Sequence, residues 1–195
     1  MILGITGGTG SGKTTLLNVI REQGGRVLDC DEIYHQQLKQ DLSLLRAIED
    51  RFPGVVEQGT LNRKKLGNIV FADKSALEDL NQITHSAVKR EVLCKLEERT
   101  KLTAIDAIGL FEGGLAELCD VTVAVTAPLE DRIKRLMGRD GISEEYARSR
   151  VSAQHEEAWF REKCNHVLVN DGNLVAFQAK CLAFMFSLGI MKENQ

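Results

Sequence analysis

The chain has 195 residues, 43% of them hydrophobic and 27% charged, with a formal net charge of −3. That length suits one well-buried core with inserted segments and is short for two full domains. The acidic balance argues against a general nucleic-acid or membrane-surface binder, and no apolar run is long enough to span a bilayer.

The apolar run Met1–Ile5 predicts a buried parallel strand. A chain that opens directly into a strand shows no signal-peptide pattern, so the cytoplasm is its expected location. Gly7–Thr14 then reads GGTGSGKT, which fits G-x-x-x-x-G-K-[ST] with Gly7, Gly12, Lys13 and Thr14 on the fixed positions. Such a loop takes a nucleoside triphosphate with its Mg²⁺. Glycines let backbone N–H groups curl around phosphates without a Cβ in the way. Lys13 brings a positive charge to the β- and γ-phosphates, and the Thr14 hydroxyl is the candidate metal ligand. The predicted nucleotide contacts run through Gly8, Thr9, Gly10, Ser11, Gly12, Lys13, Thr14 and Thr15. Leu16, Leu17 and Ile20 recur with a helical period until Gly24-Gly25, so strand, loop and helix stand in the order the motif needs.

Arg26–Asp29 predicts a second strand, ending in Asp29-Cys30-Asp31. Residues two apart on a strand share a face, so both carboxylates can point one way. Asp31 is then placed as a general base for an acceptor hydroxyl. Asp29 is placed to order magnesium-bound water or the Lys13–Thr14 region, unless one of the two carboxylates merely caps the next helix. A long polar, helical excursion follows, 32–102, with turns at Pro53-Gly54 and Gly59-Thr60. An insertion of this length near a phosphate loop is a natural place for a second substrate, or a plain surface elaboration.

Ala104–Phe111 predicts a third strand, carrying Glu112 at its end toward an acceptor, a metal water or an ordinary surface loop. Asp106–Gly109 spells D-x-x-G, but no N-K-x-D base-reading string exists in the chain. Val121–Val125 and His166–Val169 predict two more strands. Strands alternating with helices imply a parallel sheet covered on both faces. Arg132, Arg135 and Arg139 share one helix face, and Gly141 breaks that helix before Ser143-Glu144-Glu145 starts another. The pattern suits an arginine-bearing lid, with Arg139 preferred as the functional cation. Glu130, Asp131 and Asp140 nearby suit a solvated charged face instead. Leu174, Phe177, Cys181, Phe184 and Leu188 mark a last core-facing helix, and the tail 192–195 is expected to fray. The five scattered cysteines contain no C-x-x-C pair, so reduced core thiols are expected rather than disulfides or a zinc site.

Over nearly its whole length the chain resembles the dephospho-CoA kinases, a P-loop kinase family. The resemblance rests on Ile5–Thr14, Val27–Asp31, Leu61–Phe71, Ile83-Thr84-His85, Leu110-Phe111-Glu112, Arg135–Arg139 with Arg150 and Gln154, and Val169–Gly172. It implies an α/β P-loop NTPase three-layer fold with a five-stranded parallel sheet. It implies a core of 1–31, 103–137 and 164–195, a helical acceptor-binding insertion at 32–102 and a lid at 138–163. The implied reaction moves the γ-phosphoryl of ATP, with Mg²⁺, to the 3′-hydroxyl of dephospho-CoA, with no nucleic acid or membrane as partner. Asp31 is implied as base, Lys13 and Arg139 as charge stabilisers, Arg63, His85 and Glu112 as acceptor contacts, and Asn170 as a residue near the adenine. Three departures stand out: Tyr34-His35 after the D-x-D, Ser86 in place of a proline after His85, and Gly109 within the third strand. The first weakens an expected anion contact, since neutral His is a poorer anion partner than Arg, and the second is expected to loosen a turn around His85. The competing readings are another small-molecule or nucleotide kinase and a slow nucleotide-dependent switch protein. The missing base-reading string weighs against the switch.

Overall fold

The central strand β1 (Ile2–Thr6) is buried along almost all its length: strands pair with both its edges, and Leu3 and Ile5 pack against Leu16, Ile20 and Phe177. The computed structural model describes residues 1–190, so the tail at 192–195 lies outside the described residues. In chain order, β1 is followed by α1 (Lys13–Glu22), β2 (Arg26–Asp29), α2 (Cys30–Gln40) and α3 (Leu42–Arg51). A hairpin of β3 (Val56–Glu57) and β4 (Thr60–Leu61) leads to α4 (Arg63–Val70) and α5 (Lys74–Glu97). Then come β5 (Thr103–Asp106), β6 (Val121–Thr126), α6 (Leu129–Asp140), α7 (Glu144–Ser152), α8 (Glu157–Lys163), β7 (His166–Val169) and α9 (Leu174–Ser187). The large sheet has the order β2-β5-β1-β6-β7, and β1 pairs in parallel with both β5 and β6.

Two compact units make up the chain. The first comprises Met1–Leu28, Thr100–Leu110 and the described chain from Ala116 on. Its core joins Leu3 and Ile5 of β1, Leu16 and Ile20 of α1, Val123 of β6 and Phe177 of α9. Leu174 opens α9 exposed, one turn before the stripe meets the core, and Met185 is buried there instead. Within this unit α6 and α7 carry a small core of their own: Ile133, Leu136, Ala147 and Val151. Gly141 ends α6 at φ 65°, a left-handed conformation that glycine adopts without a steric cost, and Ser143 caps α7 by accepting from the Tyr146 N–H.

The second unit comprises Asp29–Arg99 and Phe111–Leu115. Leu44, Ile48 and Phe52 of α3 and its end, Leu66 of α4, and Ala76 and Ala87 of α5 form its core. Asp41, Asn62 and Asp73 cap α3, α4 and α5 respectively with their side-chain oxygens.

The strand expected at Ala104–Phe111 ends at Asp106. Its last ladder bond runs from the Ala107 N–H to the Ile5 carbonyl. Beyond that point the partner strand β1 has itself turned into the glycine loop, so 108–111 has nothing to pair with. Residues 108–114 form turns, and Glu112 lies on an exposed turn rather than at a strand end.

Candidate active site

The loop from Gly7 to Gly12 joins β1 to α1, as the motif requires. Gly12 is the N-cap of α1 at φ 101°, with no side-chain cap and no acidic residue in the first turn. The first N–H groups of α1 therefore lack the carboxylate or hydroxyl partner most helices provide, which leaves the positive end of the helix for an anion. Ser11 is 1% exposed, and its Oγ has no hydrogen-bond partner among the described residues. A buried orphan hydroxyl beside an uncapped helix start fits a ligand rich in acceptor oxygens. Lys13 Nζ donates to the Gly7 carbonyl at 3.0 Å, folding the lysine back over the loop.

The outer side of the loop is held by side chains from three places in the same unit. Arg132 Nε donates to the Thr9 carbonyl at 3.0 Å. Arg135 Nη1 donates to the Gly10 and Ser11 carbonyls at 3.2 and 3.3 Å. Asn170, buried at the end of β7, donates through Nδ2 to the Ser11 carbonyl at 2.8 Å. Gln154 Oε1 accepts from the Thr9 N–H and from Arg132 Nη2, both at 2.8 Å. These groups press on the loop glycines: a Cβ on Gly8 would displace the Arg132 guanidinium, and one on Gly12, whose φ is 101°, would strike the Asn170 amide. With the Thr9 and Ser11 carbonyls pinned outward, the N–H groups of Gly10 and Gly12 face the opposite way, while the Ser11 N–H donates to the Gly8 carbonyl at 3.2 Å.

Arg139 is otherwise engaged. Its Nε and Nη2 donate to the two Asp140 oxygens at 2.6 and 3.0 Å, and Arg150 Nη1 donates to Asp140 at 2.7 Å. Hydrogen bonding from Arg139, helped by Arg150, holds the Asp140 carboxyl down to about 2. Arg139 lies four residues beyond Arg135, about 6 Å further along the helix axis. The spacing alone put three arginines on one face. Which of them reached the loop depended on where along α6 the loop sits, and sequence carries no signal for that.

In the second unit, Asp29 and Asp31 do not share a strand face. Asp29 is the N-cap of α2, and its Oδ1 accepts from the Asp31 and Glu32 N–H groups at 3.0 Å each. Asp31 already lies in the first turn of the helix, so the two-residue alternation does not apply. The physical reason is local: a short acidic side chain satisfies orphan N–H groups and starts a helix at once. Asp31 is exposed. His35 Nδ1 lies 2.7 Å from the Asp31 carbonyl, and since a carbonyl only accepts, Nδ1 is the protonated nitrogen. Burial pushes the neighbouring Tyr34 phenol up, opposed by the Arg63 charge. Arg63 is exposed in the first turn of α4.

His85 and Ser86 sit within the uninterrupted α5, so the turn expected around His85 is absent. Ser86 keeps the N–H that a proline would lack, and its Oγ donates to the Gln82 carbonyl at 2.7 Å. Ser86 also lines a cavity of about 440 Å³ with Ser43, Leu44, Arg51 and Ile83. The second unit thus carries Asp31, Arg63, His85 and Glu112, and the first carries the loop, Arg139 and Asn170. Among the described residues no cluster of three or more His, Cys, Asp or Glu could hold a metal, and no helix is long and apolar enough to cross a membrane.

Residues 1–176 match the model of the family described as dephospho-CoA kinase. The dephospho-CoA kinase of Dehalococcoides mccartyi is 40% identical over 78% of this chain and 80% of its own. That of Moorella thermoacetica is 35% identical over 93% of this chain and 89% of its own. The solved dephospho-CoA kinase of Campylobacter jejuni superposes with a TM-score of 0.69 over 97% of this chain and 98% of its own at 24% identity, a likeness of fold.

Proposed function

The chain belongs to the dephospho-CoA kinase family, and from that premise we propose which of its residues carry the reaction. The enzyme is an ATP-dependent kinase that transfers the γ-phosphoryl of ATP to the 3′-hydroxyl of dephospho-CoA, on the three-layer α/β fold of P-loop kinases. The observation carrying the assignment of the nucleotide is the loop itself. Its carbonyls are tied outward, the first turn of α1 is uncapped, and Ser11 Oγ is left buried without a partner.

The backbone from Gly8 to Thr15 cradles the phosphates. Lys13 leaves the Gly7 carbonyl for the β- and γ-phosphates, where its charge offsets the negative charge spread over the transferring group. Thr14, exposed in the first turn of α1, fits Mg²⁺, which takes few protein ligands and keeps phosphate oxygens and water for the rest. When bound, the ion neutralises phosphate charge. Asp31 takes the proton of the attacking hydroxyl. Arg63 binds acceptor phosphate, while His85 and Glu112 orient the acceptor. Arg139 joins the transferring phosphate by exchanging Asp140 for it, and Asn170 borders the adenine. In this assignment 1–31, 103–137 and 164–195 form the nucleotide core, 32–102 the acceptor segment and 138–163 the lid. ATP and dephospho-CoA are the partners, and the cytoplasm is the compartment.

A panel of hydroxyl acceptors with Mg-ATP tests the reading. ADP should form only with dephospho-CoA, and Lys13→Ala should abolish it. ADP made without an acceptor, or none with dephospho-CoA, overturns the reading.

A further inference from the structure

We infer that Arg132 is a positioning residue for ATP, acting with Gln154 as a latch that fixes the Thr9 peptide. The inference rests on the assignment of Gly7–Thr14 as the ATP loop.

Thr9 is tied at both ends. Its N–H donates to Gln154 Oε1, its carbonyl accepts from Arg132 Nε, and Arg132 Nη2 closes the ring by donating to the same Gln154 oxygen. One planar guanidinium makes both of its bonds at once, which a point charge cannot do. Arg132 lies so close to Gly8 that a Cβ there would push its guanidinium aside. It is half-buried, and burial lowers its pKa. A desolvated cation held on two neutral acceptors keeps much of its field for an anion arriving at the loop.

The latch has a second consequence. Gln154 lies just past α7, next to His155, whose ring stacks on Trp159 at 3.8 Å between centroids and 5° between planes. A cavity of about 530 Å³ is lined by Arg132, Gln154, Val151 and His155, with Ala127 and Leu129. The conformation of the segment after α7 is therefore tied to the conformation of the phosphate loop. By reciprocal linkage, a nucleotide that favours the latched loop also favours the ordered segment. Trp159 is the only tryptophan in the chain and reports on that segment.

The test compares wild type with Arg132→Ala, Arg132→Lys and Gln154→Ala. In Arg132→Ala and Arg132→Lys the KM for ATP should rise about tenfold, the loss expected for charge-assisted positioning contacts. The kcat and the KM for dephospho-CoA should stay within about threefold, the split expected when binding of one substrate is lost. Gln154→Ala should raise the KM for ATP in the same direction, and the double variant with Arg132→Ala should fall short of the product of the two effects, because the residues act through one ring. ATP should change the Trp159 fluorescence of wild type and leave Arg132→Ala nearly unchanged. An unaltered KM for ATP, tighter ATP binding, an equal loss in both substrates with a lowered melting temperature, or a fluorescence response kept in Arg132→Ala overturns the inference. Wild type that binds ATP while Arg132→Ala behaves like it sinks the latch alone. Wild type that binds no ATP sinks the loop assignment and the latch with it.

Discussion

The side-chain amide of Asn170 donates to the Ser11 carbonyl across 2.8 Å, joining the end of β7 to the phosphate loop over 159 residues of sequence. Asn170 is buried, and its amide fills the space that a side chain at residue 12 would need. Asn170→Ala should therefore cost about 1–2 kcal/mol of stability, the loss of a buried hydrogen bond whose partner is left unsatisfied. The KM for ATP should rise several-fold as the loop loosens. Urea unfolding and steady-state kinetics check both.

Asp31 and Asp29 separate into two experiments. On the proposed assignment of Asp31 as base, Asp31→Asn keeps the shape of α2 and removes that base, so kcat should fall by about a hundredfold or more while ATP binding stays within about twofold. A near-normal kcat would dismiss Asp31 as base.

Asp29→Ala removes the cap of α2, whose two N–H acceptor bonds belong to the Asp29 carboxylate. The expected loss is about 1 kcal/mol of stability, and Asp29→Asn should restore most of it. Denaturant midpoints at unchanged m-value decide the matter.

Asp140 gives the α6–α7 junction a pH signature. Its carboxyl is held down to about 2, below the usual 3.8, first by Arg139 and then by Arg150. A depressed carboxyl stabilises the fold fully above its unfolded value of 3.8 and loses that contribution as pH falls through about 2. A carboxyl-resolved NMR titration should place the Asp140 midpoint near 2, and Arg139→Ala should move it upward.

The thiols should react in a fixed order. Cys94 is exposed, whereas Cys30, Cys164 and Cys181 are buried. Burial pushes the Cys119 thiol up to about 12, and Cys164 and Cys181 up to about 11. In native protein a thiol reagent should label Cys94 quickly and the other four only on unfolding, because the thiolate is the reactive form.

Much of the fold is legible because it is local. The glycine loop, the five strands of the large sheet and the last helix each announce themselves in fewer than twenty residues. The errors fall where a partner decides. The third strand stops at Asp106 because β1 has ended, a fact belonging to another part of the chain. Asp31 leaves the strand because Asp29 captures two N–H groups, a competition that alternation cannot see. Ser86 reads as a missing proline, yet its consequence is a helix that continues instead of a loosened turn. Arg132 and Gln154 are 22 residues apart and meet only through the packing of α6 on α7. The arginine period at 132, 135 and 139 is visible in the sequence, but the pairing of Arg132 with Gln154 leaves no trace there.

The second unit draws on two separated stretches, Asp29–Arg99 and Phe111–Leu115, so the polypeptide enters and leaves it twice. The shorter stretch is integral: Leu115 is 3% exposed, and the Lys89 ammonium from α5 lies 2.9 Å from where a Cβ on Gly114 would stand. This unit is not a cassette. A graft of 29–99 alone into another kinase scaffold would leave Glu112 and Leu115 behind. Transplanting this unit intact therefore means carrying both stretches, 29–99 and 111–115, together.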